Sequence, residues 1–151
     1  MRITDAFLGE HGLFYGLFGE ISTAMLGPKC EIETLARALS ALVVTHAQLE
    51  EEILFPVLRE HIGPMGPIEV MEMEHRQIEE LLETIPHTKE TLETQQLVQE
   101  LIDICVGHFA KEEGVLFPLA NQVLDEEELE RLGRRWAERR GVNLEAMGCA
   151  A

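Results

Sequence analysis

At 151 residues the chain has the size of one domain, long enough to bury most of a single core. Its 46% apolar and 26% charged residues are ordinary for a folded globular protein and exclude extended disorder. A formal net charge of −16 argues against nucleic acid or an anionic membrane as partner, because both need clustered cations.

Helical periodicity dominates, with no convincing alternating strand. A first helix is expected to start near Thr4 or Asp5, either able to cap it, and to end at Gly27-Pro28. Its apolar stripe carries Phe7, Phe14, Phe18, Ile21 and Met25, with His11 in the middle. A second should run from about 31 to 61, stopped by the breaker cluster GPMGP at 63–67. Its inward positions are Leu35, Leu39, Leu42 or Val43, His46, Glu50, Ile53 and Val57. A third, from about 67 to 85, carries Met71, His75, Ile78 and Leu82. A fourth, from about 90 to 123, carries Leu97, Leu101, Cys105, His108, Glu112, Val115 and Leu119.

Asp125 is the expected cap of a fifth helix reaching about Arg140, with GVNLEAMGCA as a loose tail. Long amphipathic helices joined by short loops predict an all-α, up-down-up-down four-helix bundle over 1–124. Residues 125–151 then supply the short additional C-terminal helix and the tail. Pro56 and Pro118 fall inside helical patterns, where each removes a hydrogen bond and should kink its helix.

Five of the twelve basic residues, Arg131, Arg134, Arg135, Arg139 and Arg140, cluster late. Glu128, Glu130 and Glu138 are interleaved with them, which reads as a salt-bridged helix face. Three cysteines without CxxC spacing, Cys30, Cys105 and Cys149, fit a reducing compartment rather than a disulfide framework. The first residues have no apolar signal core, and no apolar run approaches the ~20 residues that span a bilayer. A cytoplasmic location is the expectation.

The chain writes one sentence twice. HAQLEEEILFP at 46–56 and HFAKEEGVLFP at 108–118 share His-x-x-x-Glu-Glu-x-x-Leu-Phe-Pro at an offset of 62. Upstream, Glu10-His11 is echoed by Glu74-His75 at an offset of 64. The repeating unit is therefore two helices that supply two imidazoles and one carboxylate.

Positions i and i+4 share a helix face, so His46 and Glu50 can reach one point in the interior, as can His108 and Glu112. His11 and His75 come from the other two helices near the same height. Burying four imidazoles and two carboxylates among Phe, Leu and Ile costs several kcal/mol per unpaired ion. Divalent or trivalent metal offsets that cost directly. Two ions fit better than one, since a single ion leaves little reason for four histidines. If both carboxylates and an oxide or hydroxide bridge, each ion keeps roughly one open position for a small ligand. Mixed imidazole and carboxylate donors suit iron or manganese; zinc, which favours four-coordination, fits less well. Glu51, Glu52 and Glu113 lie beside these positions but turn off the core face and are expected to be solvated. His61 and His87 are expected at the surface.

With these positions identified, the chain resembles the hemerythrin-like (HHE cation-binding) domain family. His11, His46-x-x-x-Glu50, His75 and His108-x-x-x-Glu112 follow that family's order across four helices, roughly residues 5–122, and the Leu-Phe-Pro segments also match. The resemblance implies a non-haem di-iron centre, with the four histidines as terminal ligands and Glu50 and Glu112 as bridges. Members of the family carry or sense O2, handle NO or peroxide, or donate iron during repair of damaged metal centres. Oxygen carriers have a further histidine one turn after the third-helix ligand. Here that place is Glu79, and the corresponding place after His11 is Tyr15. Either both irons are open, or Glu79 or Tyr15 supplies a further donor. The ferritin-like alternative needs two Glu-x-x-His strings, and only Glu72 to His75 is present.

The expected function is to bind or reduce O2, NO or peroxide in oxygen, nitrosative or redox stress. The alternative is a reversible O2 carrier, or a sensor of O2 or redox state acting through a partner protein. Phe14, Phe18, Leu39, Leu101 and Cys105 are the expected apolar lining, with Cys105 either packing or reacting near the metals. Gly9, Gly12, Gly16 and Gly19 form a stripe on the first helix that suits close contact with the fifth helix or a second copy of the chain.

Overall fold

The computed structural model of the protein describes residues 1–63 and 66–144. Pro64 and Met65 of the breaker cluster, and 145–151 of the expected tail, lie outside the described residues. Seven α-helices are described: α1 (Ile3–Ala24), α2 (Lys29–Leu49), α3 (Phe55–Ile62), α4 (Pro67–Thr84), α5 (Thr91–Lys111), α6 (Phe117–Val123) and α7 (Glu126–Arg140). The π-helical turns Glu50–Leu54 and Glu112–Leu116 join α2 to α3 and α5 to α6 without a break. The expected second and fourth helices are thus continuous rods, and no strand occurs among the described residues.

Local chemistry sets the ends. Asp5 accepts from the Arg2 backbone N–H at 3.1 Å, so α1 starts just ahead of Thr4, whose hydroxyl instead donates to Asn121. Asp125 caps α7 as expected, accepting from the Glu128 N–H at 2.9 Å, and Gly141 closes that helix in the left-handed region.

The core lies in two clusters with a polar layer between them. Phe7, Leu54, Phe55, Met71, Leu116 and Phe117 belong to one; Phe14, Val43, Ile78, Leu101, Cys105 and Phe109 belong to the other. α1 and α4 run from the first cluster to the second, whereas the α2–α3 and α5–α6 rods run the opposite way. α1 packs on α2 and α7, α4 on α5 and α2, and α2 on α5. That arrangement is compatible with the expected alternating bundle carrying one extra helix.

At the two prolines the helical hydrogen bonding changes locally. Pro56 and Pro118 cannot donate to the carbonyl four residues back, and their rings crowd it. The chain widens by one residue instead: the Phe55 N–H donates to the Glu50 carbonyl, and the Phe117 N–H to the Glu112 carbonyl. The extra residue advances the inward face. Leu58, Leu116 and Ala120 are buried where uninterrupted α periodicity pointed to Val57, Val115 and Leu119, and Val115 is 53% exposed. Before the first π turn, Val43 is buried and Leu42 is not.

Side chains added at Gly9, Gly12, Gly16 and Gly19 would meet nothing within 4 Å, so the fifth helix does not require that stripe. The close approach is made by Gly133 of α7, where a Cβ would stand 2.3 Å from the Met1 carbonyl oxygen.

Candidate metal centre

His11 on α1, His46 on α2, His75 on α4 and His108 on α5 are all buried in the polar layer. Glu50 and Glu112 each open a π turn and are fully buried beside them. The six expected residues form two donor groups that share both carboxylates: His11, His46, Glu50 and Glu112, and Glu50, His75, His108 and Glu112.

Each carboxylate turns one oxygen toward each group. Glu50 Oε1 lies 3.5 Å from His46 Nε2, while its Oε2 lies 3.4 Å from His75 Nε2. Glu112 Oε2 lies 3.2 Å from His11 Nε2, and its Oε1 lies 3.2 Å from His108 Nε2. Within each group the imidazoles meet through Nε2, at 3.2 Å for His11–His46 and 3.0 Å for His75–His108.

The opposite nitrogen of every ring meets a further carboxylate. His46 Nδ1 is 2.6 Å from Glu10, His108 Nδ1 3.0 Å from Glu74, His11 Nδ1 2.9 Å from Glu113 and His75 Nδ1 2.8 Å from Glu51. Because an ionised carboxylate only accepts, these contacts place the proton on Nδ1 and leave the Nε2 lone pair facing inward. Glu51 and Glu113 were expected to be solvated. They are partly exposed, yet each reaches back to the histidine of another helix. The echo of Glu10-His11 in Glu74-His75 was visible in the sequence, but the pairing is crossed. The glutamate before one histidine serves a different one.

Four inward lone pairs and four carboxylate oxygens converge with no donor among them. All four oxygens of Glu50 and Glu112 are buried and make no hydrogen bond. Such a cluster of acceptors repels itself unless cations stand between them. Two donors bound at right angles to one ion at ~2.1 Å are about 3 Å apart, which matches the spacings above. The donor chemistry therefore fits a metal-binding site of two adjacent positions. Burial and the neighbouring Glu112 push the Glu50 carboxyl well above its ordinary range. Burial lowers His46.

The two expected additional donors stand farther out. The Tyr15 hydroxyl donates to Glu113 at 3.2 Å, behind His11, and the ring is 39% exposed. Glu79 is half-buried and lines a cavity of ≈ 10 Å³ against His46, His75 and His108. Val43, Val44, Ala47, Ile78 and Phe109 complete that lining. Phe14, Phe18, Leu39, Leu101 and Cys105 pack together in the cluster beyond, around Phe109, whose ring stacks on His11 at 4.1 Å. Burial pushes the Cys105 thiol up to about 12, which makes it a packing residue. His61 and His87 are exposed, as expected.

Residues 2–120 match the hemerythrin HHE cation binding domain family. The chain belongs to that family. Among its curated relatives is an iron-sulfur cluster repair protein, YtfE, of Enterobacter sp. (strain 638), 38% identical over 102 residues, with 57% of this chain and 46% of that one covered. The protein of the same name from Escherichia coli (strain K12 / DH10B) is 42% identical over 89 residues, covering 50% of this chain and 40% of its own length. The Shigella boydii serotype 18 protein gives the same values. The chain spans under half the length of these relatives. No solved structure gives a significant match. No described helix is long and apolar enough to cross a membrane.

Proposed function

We propose that the chain is a hemerythrin-type di-iron module that binds or reduces a small ligand, O2, NO or peroxide, in stress handling connected with iron-sulfur cluster repair. The carrying observation is the pair of carboxylates, Glu50 and Glu112, whose four oxygens are buried without hydrogen bonds and which are each shared between two pairs of imidazole lone pairs. His11 and His46 would hold one ion, His75 and His108 the other, with Glu50 and Glu112 bridging them beside an oxide or hydroxide. The names of the relatives support the repair context.

When bound, the iron pair supplies electrons and an open position for the ligand. The chain supplies the rest. Glu10, Glu51, Glu74 and Glu113 hold the imidazole rings so that their lone pairs converge before any ion arrives. Phe7, Phe14, Phe109 and Phe117 surround His11 and His46 and exclude bulk water. The ≈ 10 Å³ cavity beside Glu79 has room for about one water-sized body, which favours diatomics and peroxide over larger substrates.

Metal analysis after expression with iron, followed by anaerobic titration of the reduced protein with O2, NO and peroxide, tests the reading. About two irons per chain and rapid irreversible oxidation or NO uptake are expected. A protein that takes up no iron would overturn it; a stable, reversible oxy spectrum would replace it with a carrier.

A further inference from the structure

The sequence repeat makes the two halves of the centre look equivalent, but their outer supports are not. Glu10 and Glu74 occupy matching places, each meeting the Nδ1 of a histidine, His46 or His108. The free oxygen of Glu74 takes a proton donor from Lys111, three residues after His108 on the same helix and half-exposed. The matching position in the other copy is Leu49, an apolar core residue that can donate nothing.

Glu10 is served instead from α7. Arg140 Nε donates to Glu10 Oε1 at 2.7 Å, and the Trp136 indole N–H reaches the same oxygen at 3.2 Å. A second nitrogen of Arg140 donates to the hydroxyl of Thr45 at 2.8 Å, next to His46 in the chain. One guanidinium therefore ties α1 to α2 on both sides of His46, where the repeat has Gly107 in place of Thr45. A planar fork does this in a way that an ammonium cannot. α7 lies beyond the residues that match the family, 2–120.

We propose that α7 is a positioning element for one half of the metal centre: Arg140 and Trp136 fix Glu10, Glu10 fixes the ring of His46, and the two metal positions are thereby made inequivalent. The inference rests on the di-metal reading above. Groups that hold a ligating imidazole from behind change metal affinity by about 10–100-fold when removed. Their loss in one half should be felt in that half alone.

The test is a stepwise Co(II) titration of full-length apoprotein followed by visible absorption, with ¹⁵N NMR of the histidine rings in the same metal-free samples. Arg140→Gln should weaken one of the two binding steps about tenfold, with the other unchanged, and should loosen the His46 Nδ1–H tautomer before metal is added. Arg140→Lys should recover only part of the loss, because it keeps the charge but not the fork. Trp136→Phe keeps the ring in place and should give a smaller shift in the same step, which covers the case of an Arg140 variant that folds poorly. Lys111→Gln should weaken the other step. Equal weakening of both steps by Arg140→Gln, or an unchanged His46 ring with two intact steps, would overturn the proposal. If the unaltered protein fails to take two Co(II) ions, it is the di-metal reading that fails, while the apoprotein NMR still decides whether α7 positions His46.

Discussion

Glu51 Oε1 lies 2.8 Å from Nδ1 of His75, 24 residues away and on a different helix. Its counterpart Glu113 stands 2.9 Å from His11, so each ligand-position glutamate is followed directly by a residue that orients a histidine of another rod. The double glutamate of the repeat thus has divided labour. The first looks inward at two imidazoles, and the second grips the back of a ring.

Removing that grip should weaken metal binding without unfolding the protein. Glu51→Gln and Glu113→Gln are each expected to lower metal affinity by about 10–100-fold, since an amide holds the ring more weakly than a carboxylate. Competition with a chelator of known affinity measures it. Helicity by circular dichroism should stay the same.

The metal-free protein should be most stable in the mildly acidic range. Glu50 is raised above its ordinary 4.5, so its contribution is complete below that pH and is lost as pH rises through the folded value. His46 is lowered below 6.5, so its contribution is present above that pH and is lost as pH falls through the folded value. The two slopes oppose each other. Thermal melts of apoprotein across pH should show the maximum, and Glu50→Gln should remove much of the alkaline decline. A metal-loaded sample should show a much flatter profile.

Gly133→Ala tests the docking of α7. A Cβ there meets the Met1 carbonyl oxygen at 2.3 Å, a backbone atom that cannot rotate away. The helix or the first residues must shift, at a cost of about 1–3 kcal/mol in denaturant unfolding. An unchanged midpoint would show that the N-terminus yields freely.

Cys30 and Cys105 should separate cleanly by reactivity. Cys30 is exposed, whereas Cys105 is fully buried with its thiol pushed up to about 12. Alkylation of the native protein near pH 8, mapped by mass spectrometry, should label Cys30 and spare Cys105 until the chain is unfolded.

Much of this was legible from residues alone. The repeated His-x-x-x-Glu, with Glu-His upstream, marked all six inward donors, because a helix face and a shared burial cost leave few other uses for them. The helix limits were also close, since Pro, Gly and Asp act locally. From the π turns onward the inward face was misread by one residue, from Val115 to Leu116 and from Val57 to Leu58. A missing N–H announces that a helix must deform, but not whether it bends or widens. Packing of Leu54, Phe55, Leu116 and Phe117 into one cluster accompanies the wider turn.

The sequence by itself determined the helical class, the helix stripes and the paired donor set, all of which follow from periodicity and short-range chemistry. Only the tertiary structure decided which glutamate stands behind which histidine and that α7 reaches Glu10 through Trp136 and Arg140. Those contacts join residues on different helices, from 24 to 130 positions apart. No helical period encodes them, because they depend on how neighbouring rods are set against one another.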